Sequence, residues 1–350
     1  MSRHSRALKA VSASLLAVSL TITAGCSDTS WGAECDGQRM PAGVYINQVL
    51  SAYSEGLGKL DNAEESNAWK NTVGGEDFTA WVRSRTQENV YQYFATEKKF
   101  EEMGLSLDEF TQAQINYAVE SQWSYYQSVY EENGIGKSSF QNEIENTYKR
   151  SNLFEAIYGR EGTEAVPVKE LVDKFNEEYI NLDRINMSIV SNDESGVMSE
   201  EEIAKIMEKA EGYQKRIESG ESIQTIAEEY QKEQQESTGT DSATASTVNT
   251  NLTMEREGSS YSSTFQENVK AAAPGKPIVF QDETSICVAV VNEVTEESQI
   301  FLQNESYLLS ELKADEFEER LIQWGKELNI TFNNAAVSRY DAKKLKITKS

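Results

Sequence analysis

The stretch "YINLDRINMSIVSNDES" (residues 179–195) decides the fold. Its apolar residues Leu182, Ile185, Met187, Ile189 and Val190 fall close to a two-residue period, the spacing of a strand. The polar run Asn192-Asp-Glu-Ser195 reads as a turn, and Ser199-Glu-Glu-Glu202 then opens a helix in the manner of a capping box. The strand carries no side chain able to do chemistry on its apolar face. A well-framed strand without a reactive group points to a scaffold that binds rather than converts.

Outward from this strand the order of elements predicts an α+β unit between about residues 181 and 294. Residues 199–217 are helical, with Ile203, Ile206, Ala210, Tyr213 and Ile217 on one face, and Gly220 breaks the pattern. "SIQTIAEEYQKE" continues as a shorter helix. "QQESTGTDSATASTVNTN" (234–251) is polar and low in complexity and reads as a loop. "LTMERE" is a short strand, "STFQENVKAAAPGKP" a helix ended by Pro274-Gly275, and "PIVFQDETSICVAVVNEV" two strands about Asp282-Glu283.

The flanks are helical. Pro41 starts a helix carrying Val44, Ile46, Val49, Leu50 and Tyr53, and residues 59–77 read as a loop. From 78 to 160 the chain is helical, interrupted by Gly104 and Gly134. Ser106-Leu-Asp-Glu109 reads as a capping box. Phe110, Ala113, Tyr117, Trp123, Tyr126 and Tyr130 form a broad stripe in the helix that follows. The aromatics of this block are either bundle core or the lining of a groove for apolar segments of other chains. Tyr93, Phe94, Trp123 and Tyr126 are the candidate contact residues. A long helix spans about 298–328, and a basic tail closes the chain.

The ends and the charge bound the function. "MSRHSRALKAVSASLLAVSLTITAGC" has a basic start, a short apolar run and small residues before Cys26, the architecture of a secretory leader. Thr23-Ala24-Gly25-Cys26 resembles a bacterial lipoprotein box, which implies cleavage before Cys26, a lipid on its sulfur and attachment to the outer face of the cell membrane. Residues 26–34 would be a tether. The 350 residues carry 33 Lys and Arg against 58 Asp and Glu, a net charge of −25. Such a surface argues against nucleic acid as a partner. The single histidine is His4, inside the leader. Histidine-based triads, histidine zinc sites and imidazole acid–base catalysis are therefore excluded from the mature chain. "DNAEES" and "NDESG" lack the spacing of a calcium loop, so no metal is expected, and no phosphate-binding glycine loop suggests a cofactor. Cys35 and Cys287 leave a disulfide open.

These pieces resemble the parvulin domain of extracytoplasmic foldases. "RINMSIVS" matches its first strand, "EEIAKIMEKAEGYQKRIESGESIQTIAEEYQKE" its helix–Gly–helix, and "ENVKAAAPGKPIVFQDETSICVAVVNEV" its closing segment. "CDGQRMPAGVYINQVLSAY" is similar to the N-terminal start of SurA/PrsA-type chaperones. The resemblance implies a helical chaperone domain built from residues 35–165 and 297–350, with a parvulin-like domain inserted at 166–296. It also implies peptidyl-prolyl isomerase activity, binding of unfolded secreted polypeptides, and no cofactor. It leaves a homo-dimer open. In the family one histidine lies on the first strand and another near the last. Met187 stands at the first position, and Asp282 to Ile286 cover the second, so the catalytic set is empty. The expectation is a membrane-tethered chaperone without histidine chemistry. An isomerase with an unusual pocket and an assembly lipoprotein for one envelope partner are the alternatives.

Overall fold

The computed structural model describes residues 29–60, 65–191, 196, 198–238 and 248–346. The leader, Cys26 and its lipid site lie outside the described residues. In chain order the elements are β1 (Trp31–Cys35), β2 (Gln38–Pro41), α1 (Ala42–Gly58), a 3-10 turn (Glu65–Lys70), β3 (Thr72–Val73), β4 (Glu76–Asp77), α2 (Phe78–Glu102), α3 (Glu109–Glu132), α4 (Lys137–Tyr158), α5 (Val168–Glu178) and β5 (Tyr179–Ser188). They continue with α6 (Glu200–Glu218), α7 (Ile223–Thr238), β6 (Val248–Glu255), α8 (Ser263–Ala271), β7 (Pro277–Gln281), β8 (Ser285–Val291), α9 (Gln299–Glu327), β9 (Ile330–Phe332) and α10 (Asn334–Arg339). The protein is α+β. Among the described residues no helix is long and apolar enough to cross a membrane.

The described residues divide into two compact units, the first drawn from within 29–95, 108–146 and 324–346, the second from within 96–107 and 147–323. Residues 96–107, 147–165 and 297–323, expected in the helical domain, fall in the second unit.

In the first unit β1 is the middle strand of the sheet β2-β1-β9. Residues 31–34, expected as tether, therefore belong to a strand, because Ala33, Glu34 and Cys35 pair with Phe332, Thr331 and Ile330. Gly32 admits the Tyr45 ring over this strand. A Cβ there would stand 2.3 Å from that of Tyr45. The core joins Ala33, Cys35 and Met40 of the sheet to Val44, Val49 and Tyr53 of α1 and to Phe78, Val82, Val90 and Phe94 of α2. Residues 59–77 are not simply loop. Ala68 is buried and Trp69 packs on Tyr53 and Phe78 at ring-centre distances of 5.2 and 5.3 Å. Burial pushes the Tyr45 hydroxyl up to about 12, with Asp341 adding to the effect.

In the second unit the described strands form an antiparallel sheet of order β6-β5-β8-β7. β5 is interior and both its faces are covered. Ile185, Met187 and Ile189 pack with Ala210 and Tyr213 of α6 and with Ile226 and Tyr230 of α7. Ile180 and Leu182 pack with Met254, Phe265, Val269, Phe280 and Ala289 on the α8 side. The capping box at Ser199 forms as read, with Glu202 returning to the Ser199 backbone N–H at 2.9 Å. The segment read as a loop over 234–251 is shorter than expected. α7 extends to Thr238, and β6 begins at Val248 to pair with β5.

The early part of β5 holds a buried polar node. The Asp183 carboxylate accepts from the Asn251 backbone N–H at 2.7 Å, from Gln224 Nε2 at 3.0 Å and from Asn292 Nδ2 at 3.2 Å. The Asn292 amide also donates to Asn181 Oδ1 at 2.9 Å. One side chain thereby ties β6, α7 and the end of β8 to β5. A buried carboxylate needs such donors, because desolvation would otherwise outweigh its burial.

Candidate functional site

The four aromatic candidates do not gather at one surface. Phe94 is buried in the core of the first unit, with Tyr93 half-buried beside it at 5.7 Å. Trp123 is buried against Phe140 of α4 at 5.8 Å. Tyr126 alone of the four is exposed. It stacks on Tyr130 at 5.7 Å and meets Tyr125 edge-on at 5.6 Å.

Among the described residues four exposed aromatics lie on α3, and a fifth, Tyr307, lies on α9 with its hydroxyl donating to Glu311 at 2.7 Å. The buried residues of α3 are Ile115, Val119 and Trp123, spaced by four and so aligned along one stripe. At 3.6 residues per turn, Phe110, Tyr117 and Tyr125 fall on the opposite side of the helix. They are 71%, 77% and 84% exposed, whereas Tyr126, in line with the buried stripe, is 46% exposed. Small residues separate the rings. Ser121 and Ser124 turn their hydroxyls onto the helix's own carbonyls of Ala118 and Ser121, both at 3.1 Å, so they offer little to a polar ligand. The helix is held at its start by Asp108, whose side chain accepts from the Thr111 backbone N–H at 2.7 Å. The cap is therefore Asp108 and not Ser106, since Glu109 is already helical. Beyond Asn133, Gly134 at φ +82° takes the left-handed turn that glycine allows.

Phe110 and Tyr117 belong to the broad stripe visible in the sequence, which leaves core and groove lining open, and Tyr125 lies outside that stripe. The missed signal was the aliphatic spacing. Ile115 and Val119 define which side packs, and any aromatic half a turn away must face water.

Among the described residues the positions where the resemblance expects histidines hold Met187 and Asp282 to Ile286. Met187 is buried among Ile185, Ile189, Tyr213, Ile226, Ile286 and Val288. It fills core space on the α6–α7 face. Across the strand pair from it stands Ile286, fully buried. The Asp282 carboxylate accepts from Ser262 Oγ at 2.6 Å, next to the N-terminus of α8. On the α8 side, Arg184 lies over the rings of Tyr261 and Phe265 at 5.0 and 5.1 Å. Asn186 pairs across the strands with Cys287, and its Oδ1 is buried with no hydrogen-bond partner among the described residues. Burial pushes the Cys287 thiol up to about 12, against a smaller lowering by Arg184, so it stays protonated at neutral pH. Both Cys35 and Cys287 are buried.

The second unit also holds a cleft of about 530 Å³ lined by Leu105, Tyr158, Arg160, Val166, Leu171 and Leu309. Its one cation is engaged. Arg160 pairs with both oxygens of Glu305 at 2.5 and 2.9 Å. Among the described residues no group of three His, Cys, Asp or Glu is placed to hold a metal ion.

No family model matches the chain, and no curated protein matches it. Solved structures are similar to it over most of its length. The PrsA foldase of Lactococcus lactis is 12% identical, covers 89% of this chain and 98% of its own, and superposes with a TM-score of 0.31. The PrsA foldase of Streptococcus pneumoniae is 13% identical over 78% of this chain and 97% of its own, with a TM-score of 0.29. PrsA of Bacillus subtilis is 12% identical over 72% and 86%, with a TM-score of 0.28. These are structures of the family that the residues resemble. At such identities and scores the likeness carries no argument about activity.

Proposed function

We propose that the chain is an extracytoplasmic chaperone of the foldase type, which holds unfolded secreted polypeptides and does not isomerise them by side-chain acid–base chemistry. A lipid on Cys26 would tether it to the outer face of the cell membrane. The observation that carries this reading is the solvent face of α3. Three aromatic rings stand in water on the side opposite the helix's buried stripe. Exposed rings in that number are costly to keep unless they meet apolar groups of another chain. Holding needs no cofactor, and it is compatible with a sequence whose one histidine is His4.

The test is aggregation of a reduced, unfolded client followed by light scattering. The full chain at equal molar ratio is expected to suppress scattering, and the Phe110→Ser, Tyr117→Ser, Tyr125→Ser variant is expected to lose most of that effect. Full suppression by the variant, or none by either protein, contradicts the reading. Capture of a single envelope protein with no general suppression would support the assembly-lipoprotein alternative.

One observation favours a second reading. Arg184 held on two rings, near the Asn186 oxygen that has no hydrogen-bond partner among the described residues, could bind and twist an X–Pro amide without proton transfer. That reading predicts exchange above background, lost on Asn186→Leu.

A further inference from the structure

We infer that α3 selects client segments in which lysine or arginine accompanies the aromatic and aliphatic side chains, so that acidic segments are turned away. This rests on the holding function proposed above and specifies its substrate.

The composition of the helix carries the inference. From Glu109 to Glu132 there are four glutamates and neither lysine nor arginine. At 3.6 residues per turn, Glu120, Glu131 and Glu132 fall on the same half of the helix as Phe110, Tyr117 and Tyr125. The carboxylates thus border the rings. Glu131 and Glu132 also sit at the C-terminal end, where the helix dipole is negative and no basic residue occupies the last turn. An incoming cation there relieves both repulsions. The chain itself shows the preference. Lys137 of α4 reaches back to Glu120 at 2.6 Å, a cation drawn to this face by the protein's own chain. Glu109 and Glu132 have no ion pair among the described residues. Tyrosine faces attract a cation as well as apolar groups, so one arginine can engage ring and carboxylate together.

The same charges disfavour the other occupants. A second copy laid along α3, parallel or antiparallel, sets glutamate against glutamate with no cation on either helix. An anionic bilayer meets the same repulsion, and the net charge of −25 adds to it.

The experiment compares two labelled unstructured peptides by fluorescence anisotropy with the full chain. Both carry the same phenylalanines and leucines; one has arginine where the other has glutamate. The arginine peptide is expected to bind about tenfold tighter at low salt. The ratio is expected to fall to about threefold or less at 0.5 M NaCl, where charges are screened beyond a few ångströms. The Glu120→Gln, Glu131→Gln, Glu132→Gln variant should narrow it at low salt. The Phe110→Ser, Tyr117→Ser, Tyr125→Ser variant should weaken both peptides. Equal, salt-insensitive binding of the two peptides overturns the inference and leaves the holding function standing. Binding of neither overturns both. A concentration-dependent mass abolished by Tyr117→Ser assigns the face to a second copy, and binding to phosphatidylglycerol vesicles abolished by Tyr117→Ser assigns it to a membrane; either overturns the inference.

Discussion

β5 and α3 are opposite solutions to the same apolar content. β5 is covered on both faces, its aliphatic residues shared between a core under α6 and α7 and a core under α8. α3 packs through Ile115, Val119 and Trp123 and leaves Phe110, Tyr117 and Tyr125 in water. The strand stands where the resemblance places catalysis, yet its side chains are committed to packing. The helix has no catalytic counterpart, yet it holds uncommitted apolar surface. A residue engaged on all sides can be replaced by nothing that also works on a substrate, whereas a solvated ring is free to bind.

The comparison can be broken first at the strand. Removing the Asp183 carboxylate leaves the Gln224, Asn251 and Asn292 donors without their acceptor. Asp183→Ala should destabilise the second unit by about 4 kcal/mol, counting roughly 1–3 for each buried donor left unmade. Urea unfolding followed by far-UV circular dichroism measures this, and a loss below about 1 kcal/mol would mean that the node is solvated. Met187→Ala comes next. Truncating a fully packed side chain costs roughly 2–5 kcal/mol, and a neutral result would show that Met187 borders open space as a pocket residue does.

A smaller effect is expected at the surface of the second unit. Glu164 is held below the usual carboxylate range by hydrogen bonds from Arg320, and Glu316 by Lys313 and then Tyr158. Carboxyls depressed in the folded state stabilise it above their unfolded value, and that contribution disappears as pH falls through the folded one. Stability should therefore decline below about pH 4.5. Both pairs are partly exposed, so each should contribute no more than about 1 kcal/mol. Arg320→Gln should flatten that acid limb of the pH–stability curve, and an unchanged limb would place its origin elsewhere. The smallest stability change is expected on α3. The Phe110→Ser, Tyr117→Ser, Tyr125→Ser variant should stay within about 0.5 kcal/mol of the parent per site, as surface substitutions do, while losing client holding.

Local signals read well in the sequence. The two-residue period of β5, the Ser199–Glu202 capping box and the left-handed glycines at Gly104, Gly134 and Gly220 each depend on neighbours within a few residues. What resisted reading depends on distant partners. Residues 31–34 look like tether because the strand they share with Cys35 is short and only one of its partners, Gln38–Pro41, is nearby; the other, Ile330–Phe332, comes some 300 residues later. Trp69 looks like loop because Tyr53 and Phe78 close over it from two helices. Asp183 looks like an interruption of an apolar strand, since its three donors come from separate segments. On α3 the large aromatics outweigh Ile115 and Val119 in any tally of hydrophobicity, so the stripe that packs was masked by the residues that do not.

The most direct test of the account is NMR exchange on an unfolded, X–Pro-containing client mixed with the full chain. The account predicts broadening of the client's apolar and basic residues, lost with the Phe110→Ser, Tyr117→Ser, Tyr125→Ser variant, and no cis–trans exchange above the uncatalysed background. Exchange above background that persists in that variant would contradict it, and would place the activity on the sheet around Arg184 and Asn186.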